Sequence, residues 1–146
     1  MSLLKDIASD AAFYRRKVGL GFIFNQGWQA IYLYRWGRWA YTHARRVNPF
    51  WYIYVLAKGW HMLFVKIELP VTCKIGQRLY LPHPYGLVMA GAVTIGNDCS
   101  IGAWTVIGRG GKSGENPVLE DGVYLGPRSC VLENARPLRP APKSKL

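Results

Sequence analysis

The 146-residue chain is half apolar and carries nineteen Lys and Arg against eight Asp and Glu, a formal net charge of +11. This composition can bury a core and excludes wholesale disorder, while the charge favours an anionic partner: nucleic acid, an anionic membrane surface or a phosphorylated cofactor. Cys73, Cys99 and Cys130 are far apart and form no CxxC pair, so no metal site or disulfide framework is expected, and all three read as small buried residues.

The opening MSLLKDIASD lacks a basic stretch followed by an apolar one, so it does not read as a signal peptide, and a cytoplasmic location is expected. Residues 1–66 form an aromatic, basic first part with 16 of the 20 aromatics, ten basic residues and only two acids, Asp6 and Asp10. Three helices are predicted in it. Residues 2–17 open with Ser2 as N-cap and end in Arg15, Arg16 and Lys17, which suits a helix C-terminus. Residues 26–46 place Trp28, Ile31, Tyr32, Arg35, Trp36 and Trp39 at helical offsets of three and four. Pro49 is placed to start the third helix, over residues 50–66. Its uninterrupted apolar run FWYIYVLA is eight residues, whereas a membrane span needs about 20. Two readings remain for these aromatics: a peripheral membrane contact through residues 1–66, or packing against the rest of the chain or a neighbouring subunit.

From residue 67 the period changes to six. Ile95-Gly96, Ile101-Gly102 and Ile107-Gly108 are in phase, with Cys99 and Thr105 in a small-residue slot. The period returns at Leu119-Glu120, Leu125-Gly126 and Val131-Leu132, and Ile75-Gly76, Leu81-Pro82 and Leu87-Val88 open the series. Helices repeat near 3.6 and flat strands near 2, so a six-residue period points to a triangular solenoid with one aliphatic side chain per face. The fold expected is mainly β: a short parallel β-helix over 67–134 after an α-helical segment, with a Pro-rich basic tail over 135–146. The density of proline in ARPLRPAPKSKL predicts that the ladder stops near Glu133.

These hexads, in IELPVTCKIGQRLYLPHPYGLVMAGAVTIGNDCSIG and VIGRGGKSGENPVLEDGVYLGPRSCVL, resemble those of the left-handed β-helix (hexapeptide-repeat) acyltransferases, in the serine acetyltransferase and polysaccharide O-acetyltransferase branch. The resemblance covers about residues 66–133 and implies an acetyl-CoA-dependent homotrimer with active sites in clefts between prisms. It assigns the general base to His83, in LPHPYGLV, and an acidic partner to Glu68. An imidazole suits the role, since a hydroxyl is a weak nucleophile until a base takes its proton. For CoA the resemblance implies Gly108, Gly110, Lys112, Gly126 and Ser129, with Lys112 in the Gly-rich stretch GRGGKSGENP.

Two departures bear on the acceptor, whose contacts are expected at Pro82 and Asn116. Serine-specific members of the family carry an acid before the catalytic His, where this chain has Pro82. They also carry an Arg-His pair where Glu115-Asn116 precede Pro117 here. Losing those groups removes charge complementarity for a zwitterion, so a sugar hydroxyl of a polysaccharide or lipid-linked saccharide is the expected acceptor. The alternatives are serine O-acetylation in cysteine biosynthesis and a catalytically degenerate trimeric scaffold. Nucleic acid is not an expected partner, as no zinc, RNP or helix-turn-helix signature occurs.

Overall fold

The computed structural model describes residues 3–43, 49–110 and 116–132. Its helices are α1 (Leu3–Val18), α2 (Gln26–Thr42) and α3 (Pro49–Val65), with a 3₁₀ turn at Leu20–Phe24 between the first two. Asn25 caps α2 by accepting the Trp28 N–H at 3.1 Å, and Pro49 opens α3, where a missing N–H costs nothing. The expected cap Ser2, the end of the second predicted helix (residues 44–46) and the whole tail (135–146), with the expected ladder end at Glu133, lie outside the described residues.

Eight two-residue strands follow: β1 (Lys74–Ile75), β2 (Val88–Met89), β3 (Thr94–Ile95), β4 (Ser100–Ile101), β5 (Val106–Ile107), β6 (Val118–Leu119), β7 (Tyr124–Leu125) and β8 (Cys130–Val131). All pairing is parallel, in three ladders: β1-β3-β6, β2-β5-β8 and β4-β7. Isolated bridges extend two of them, Glu68 to Val88 and Tyr80 to Ser100. The chain visits the three ladders in a fixed cyclic order, so it winds as a three-sided coil. Each strand is short because a face holds one outward and one inward residue before the chain turns. The inward positions Ile75, Met89, Ile95, Ile101, Ile107, Leu119, Leu125 and Val131 are buried and stack into one core.

The corners stack as well. Arg78, Asp98, Trp104 and Arg128 all adopt φ between 57° and 62°, a left-handed conformation costing roughly 1 kcal/mol for a residue with a Cβ. Neighbouring coils hold three of them there: Asp98 N–H donates to Gln77 O, Trp104 N–H to Tyr85 O and Arg128 N–H to Ala103 O, at 2.8–2.9 Å.

Register corrects two expectations. The Leu87-Val88 pair continues the six-residue period from Ile75 and Leu81, yet the ladder sets Met89, not Leu87, opposite Ile107. Leu87 fills the slot before the strand, as Thr105 does one coil later, and the turn before it holds two additional residues. Cys73 and Cys99 are buried, and burial raises both thiol pKa values, but Cys130 is exposed. It occupies the outward position of β8, which points away from the core.

Helical side chains close the edge of the first coil. Arg35 donates to the Ile75 carbonyl at 2.7 Å, to the Gly76 carbonyl and to the Asp10 carboxylate at 2.9 Å. Arg38 reaches the carbonyls of Val71 (2.8 Å) and Cys73 (2.7 Å), and Tyr34 Oη donates to Cys73 O at 2.7 Å. From α1, Asp10 accepts the Arg78 N–H at 2.6 Å, and Tyr14 Oη accepts the Leu81 N–H at 2.9 Å. The buried stripe of α1 is therefore Asp6, Asp10 and Tyr14, polar because Asp10 and Tyr14 match backbone groups that a strand would otherwise satisfy and Asp6 accepts from the Gln77 side chain at 2.8 Å. Burial lifts the Asp10 pKa above its ordinary value, against the pull of Arg35 and of the Arg78 N–H. Close approach needs Gly27, where a Cβ would stand 2.2 Å from the Leu81 carbonyl oxygen.

Candidate active site

His83 belongs to the longest corner of its column. Eight residues separate the ladder positions Tyr80 and Val88, whereas six separate Ser100 from Val106 and six separate Tyr124 from Cys130. The coils above fix the spacing of the faces, so the two additional residues bulge outward and His83 is exposed. Pro84 is buried in the same turn and anchors it. Gly86 follows with φ 65°, and the Trp104 indole lies over it so closely that a Cβ would sit 2.3 Å from the ring. Glycine alone satisfies both conditions.

Several of the sequence-derived candidates gather at this edge. Pro82 and His83 lie in the first corner of the column, the Gly102–Thr105 corner stacks on it, and Gly126 and Ser129 form the corner above that. The Trp104 N–H to Tyr85 O and Arg128 N–H to Ala103 O bonds tie the three together. Ser129 already spends its hydroxyl proton on the Gly126 carbonyl at 2.7 Å. Gly108 and Gly110 sit instead at the opposite side of the β2-β5-β8 face: the Gly108 N–H donates to Val131 O at 2.9 Å, and the Leu132 side chain closes on Gly110. Asn116 is exposed on the same stretch, and Lys112 lies outside the described residues.

Glu68 stands on the face beside the His83 corner. Its N–H donates to Leu87 O at 2.8 Å and its carbonyl accepts the Met89 N–H at 3.1 Å, which sets its side chain in the outward row with Val88 and Val106. That row lines a cleft of about 450 Å³ bounded by Met62, Lys66, Glu68, Gly86, Trp104 and Val106. The ion pairs among the described residues are Arg35–Asp10 and Arg78–Asp98; neither a salt bridge nor a hydrogen bond joins Glu68 to His83 within one chain. The reason is positional: the residue stacked on Glu68 is Val88, five residues beyond His83. Sequence reasoning missed Lys66, Met62 and Trp104 as cleft residues. For Trp104 a signal existed, a large aromatic at a corner position where it could only point outward.

An exposed imidazole at a bulged corner, a carboxylate in a mainly apolar cleft and glycines that allow close backbone approach suit general-base chemistry on a hydroxyl. The fold is that of solved serine acetyltransferases. The crystal structure of serine acetyltransferase from Brucella abortus strain S19 superposes with a TM-score of 0.74 at 20% identity, over 90% of this chain and 55% of that one. The same organism's serine acetyltransferase in complex with coenzyme A gives a TM-score of 0.73 at 20% identity, over 90% and 54%. In sequence, the serine acetyltransferase of Escherichia coli strain K12 is 27% identical over 114 residues, 77% of this chain. The chain spans 40% of the length of that relative. No family model matches the chain. These likenesses support the hexapeptide-repeat acyltransferase resemblance on its serine acetyltransferase side; the polysaccharide side finds no support in them.

Proposed function

We propose that the coil is a short left-handed parallel β-helix and that the chain is an acetyl-CoA-dependent O-acetyltransferase. The observation that carries the reading is the lengthened His83 corner beside the Glu68 cleft, in a chain whose fold matches a protein crystallised with coenzyme A. His83 takes the acceptor's proton as its oxygen bonds to the thioester carbonyl carbon; the carbon–sulfur bond then breaks, and the CoA thiolate leaves and is reprotonated. Glu68 favours the imidazolium that forms, and Gly126 and Ser129 lie on the same edge for the cofactor. The relatives favour serine as acceptor over the sugar hydroxyl expected from Pro82 and Asn116.

Release of CoA thiol from acetyl-CoA tests both steps. We expect serine to raise release well above acceptor-free hydrolysis. Stimulation by nucleotide-linked or lipid-linked sugars alone would reverse the acceptor and leave the transferase. No stimulation by any hydroxyl would remove the transferase and favour a scaffold.

We propose further that the chain works as a homotrimer, because Val88, Val106, Val118 and Tyr124 leave the faces partly apolar and exposed. Light scattering at micromolar concentration is expected to give three times the chain mass. A monomer would overturn both the trimer and a site shared between prisms.

A further inference from the structure

Helix α3 is amphipathic the wrong way round for a helix that serves only its own core. Tyr54 and Val65 are its buried residues, and the flank turned toward α2 includes Lys58 and His61. The stripe Ile53, Leu56, Trp60, Leu63 and Phe64, spaced by three and four, faces outward; Leu56 is 76% exposed, Trp60 68% and Leu63 74%. Removing such a stripe from water is favourable, so leaving it exposed selects for a partner.

Charge narrows the partner. The acids of the helical segment, Asp6 and Asp10, are both buried against the coil. Lys5, Arg15, Arg16, Lys17 and Lys66 are exposed. The described surface of the helices thus carries exposed cations and no exposed carboxylate. A second copy docked through this same helical face would set the same exposed cations against each other, whereas the trimer proposed above pairs the apolar faces of the coil. The partner that fits is apolar and anionic at once. Among the described residues no helix is long and apolar enough to cross a membrane, and the exposed Tyr52 and Trp60 rings of α3 suit the headgroup boundary.

We propose that α3 is an interfacial element that docks the chain on an anionic lipid surface. Its last turn carries Met62, and Lys66 follows it; both line the cleft that holds Glu68. Docking therefore sets the mouth of that cleft beside the headgroups. The docking itself does not depend on the transferase reading.

Flotation of the full chain, without acetyl-CoA, with vesicles of phosphatidylcholine alone or mixed with phosphatidylglycerol tests it. Strong flotation is expected with the anionic vesicles and weak flotation with the zwitterionic ones. Salt at about 1 M, which shortens the screening length to about 3 Å, should reduce the difference between them. The variant Leu56→Ser/Trp60→Ser/Leu63→Ser should lose about tenfold or more in partition while keeping its circular dichroism and oligomeric mass. No flotation of the parent chain, or equal flotation of the variant, overturns the proposal. A change of oligomeric mass in the variant also overturns it, because the stripe would then be covered by another copy of the chain.

Discussion

His83→Ala is expected to lower turnover by about 10²–10⁴-fold, the usual worth of a positioned base, with little change in the KM for acetyl-CoA. The residue is exposed in a corner that Pro84 and Gly86 hold, so the substitution removes a proton acceptor and leaves the coil intact; an unchanged thermal transition is the control. Glu68→Gln keeps the shape and the backbone bridge to Val88 while removing the charge, and it should cost less. Its combination with His83→Ala distinguishes two arrangements. If Glu68 acts only through His83, the double variant resembles His83→Ala alone. Losses that multiply would show the carboxylate acting on the substrate directly, an arrangement consistent with its distance in sequence register from His83. Near-normal turnover of His83→Ala would remove the imidazole from the mechanism and leave the transfer to be explained by another base.

The largest expected effect on stability is at Arg35, whose side chain is almost wholly buried and makes three contacts across the seam between helices and coil. Arg35→Met strands the Asp10 carboxylate and leaves two carbonyls of the first coil without their donor. A loss of about 3–5 kcal/mol in denaturant unfolding is expected at neutral pH. The deficit should shrink under acid. Burial already raises the Asp10 pKa from 3.8, and without Arg35 it rises further, so the folded variant takes up a proton before the unfolded chain does. Its stability relative to the parent therefore increases as pH falls from the variant's pKa toward the parent's own, which burial already holds above 3.8. Asp10→Asn/Arg35→Met retains an acceptor for the Arg78 N–H and should recover part of the loss at neutral pH. Equal deficits at both pH values and in both variants would show that the lost carbonyl contacts, not the stranded charge, carry the effect.

The coil and the helices were legible because each has its own period. Aliphatic residues at 95, 101 and 107 and again at 119, 125 and 131 leave no helical or flat-sheet alternative, and all six point inward. The lengthened corner was hidden by a coincidence of side chains. Leu87 keeps step with Ile75 and Leu81, Met89 keeps step with Ile95, and both are buried; only hydrogen-bond register tells which one belongs to the ladder. The direction of α3 was hidden for a different reason. Hydropathy identifies an apolar stripe but not whether it faces inward, and the inward flank of α3 carries Lys58 and His61. The same holds for α1, whose buried face is Asp6, Asp10 and Tyr14, accepting from the Gln77 side chain and from the Arg78 and Leu81 N–H groups, a use that no apolar pattern reports. His83 and Glu68 were named as candidates through the family resemblance, His83 by its motif and Glu68 by alignment of the Ile-Gly pairs. The cleft beside them takes Lys66 and Trp104 from a helix end and a neighbouring coil, which no local spacing connects.

The seam formed by Tyr14, Tyr34, Arg35 and Arg38 gives the molecule a polarity of growth. One end of the coil is matched, donor by acceptor, to a fixed set of helical side chains, so any change there must preserve several bonds simultaneously. Each later turn is templated only by the turn beneath it. Whole turns could be added or deleted beyond β8 while the His83 corner and the helical seam kept their geometry. Length at that end is therefore open to evolutionary variation, whereas the start of the coil is constrained as tightly as a subunit interface.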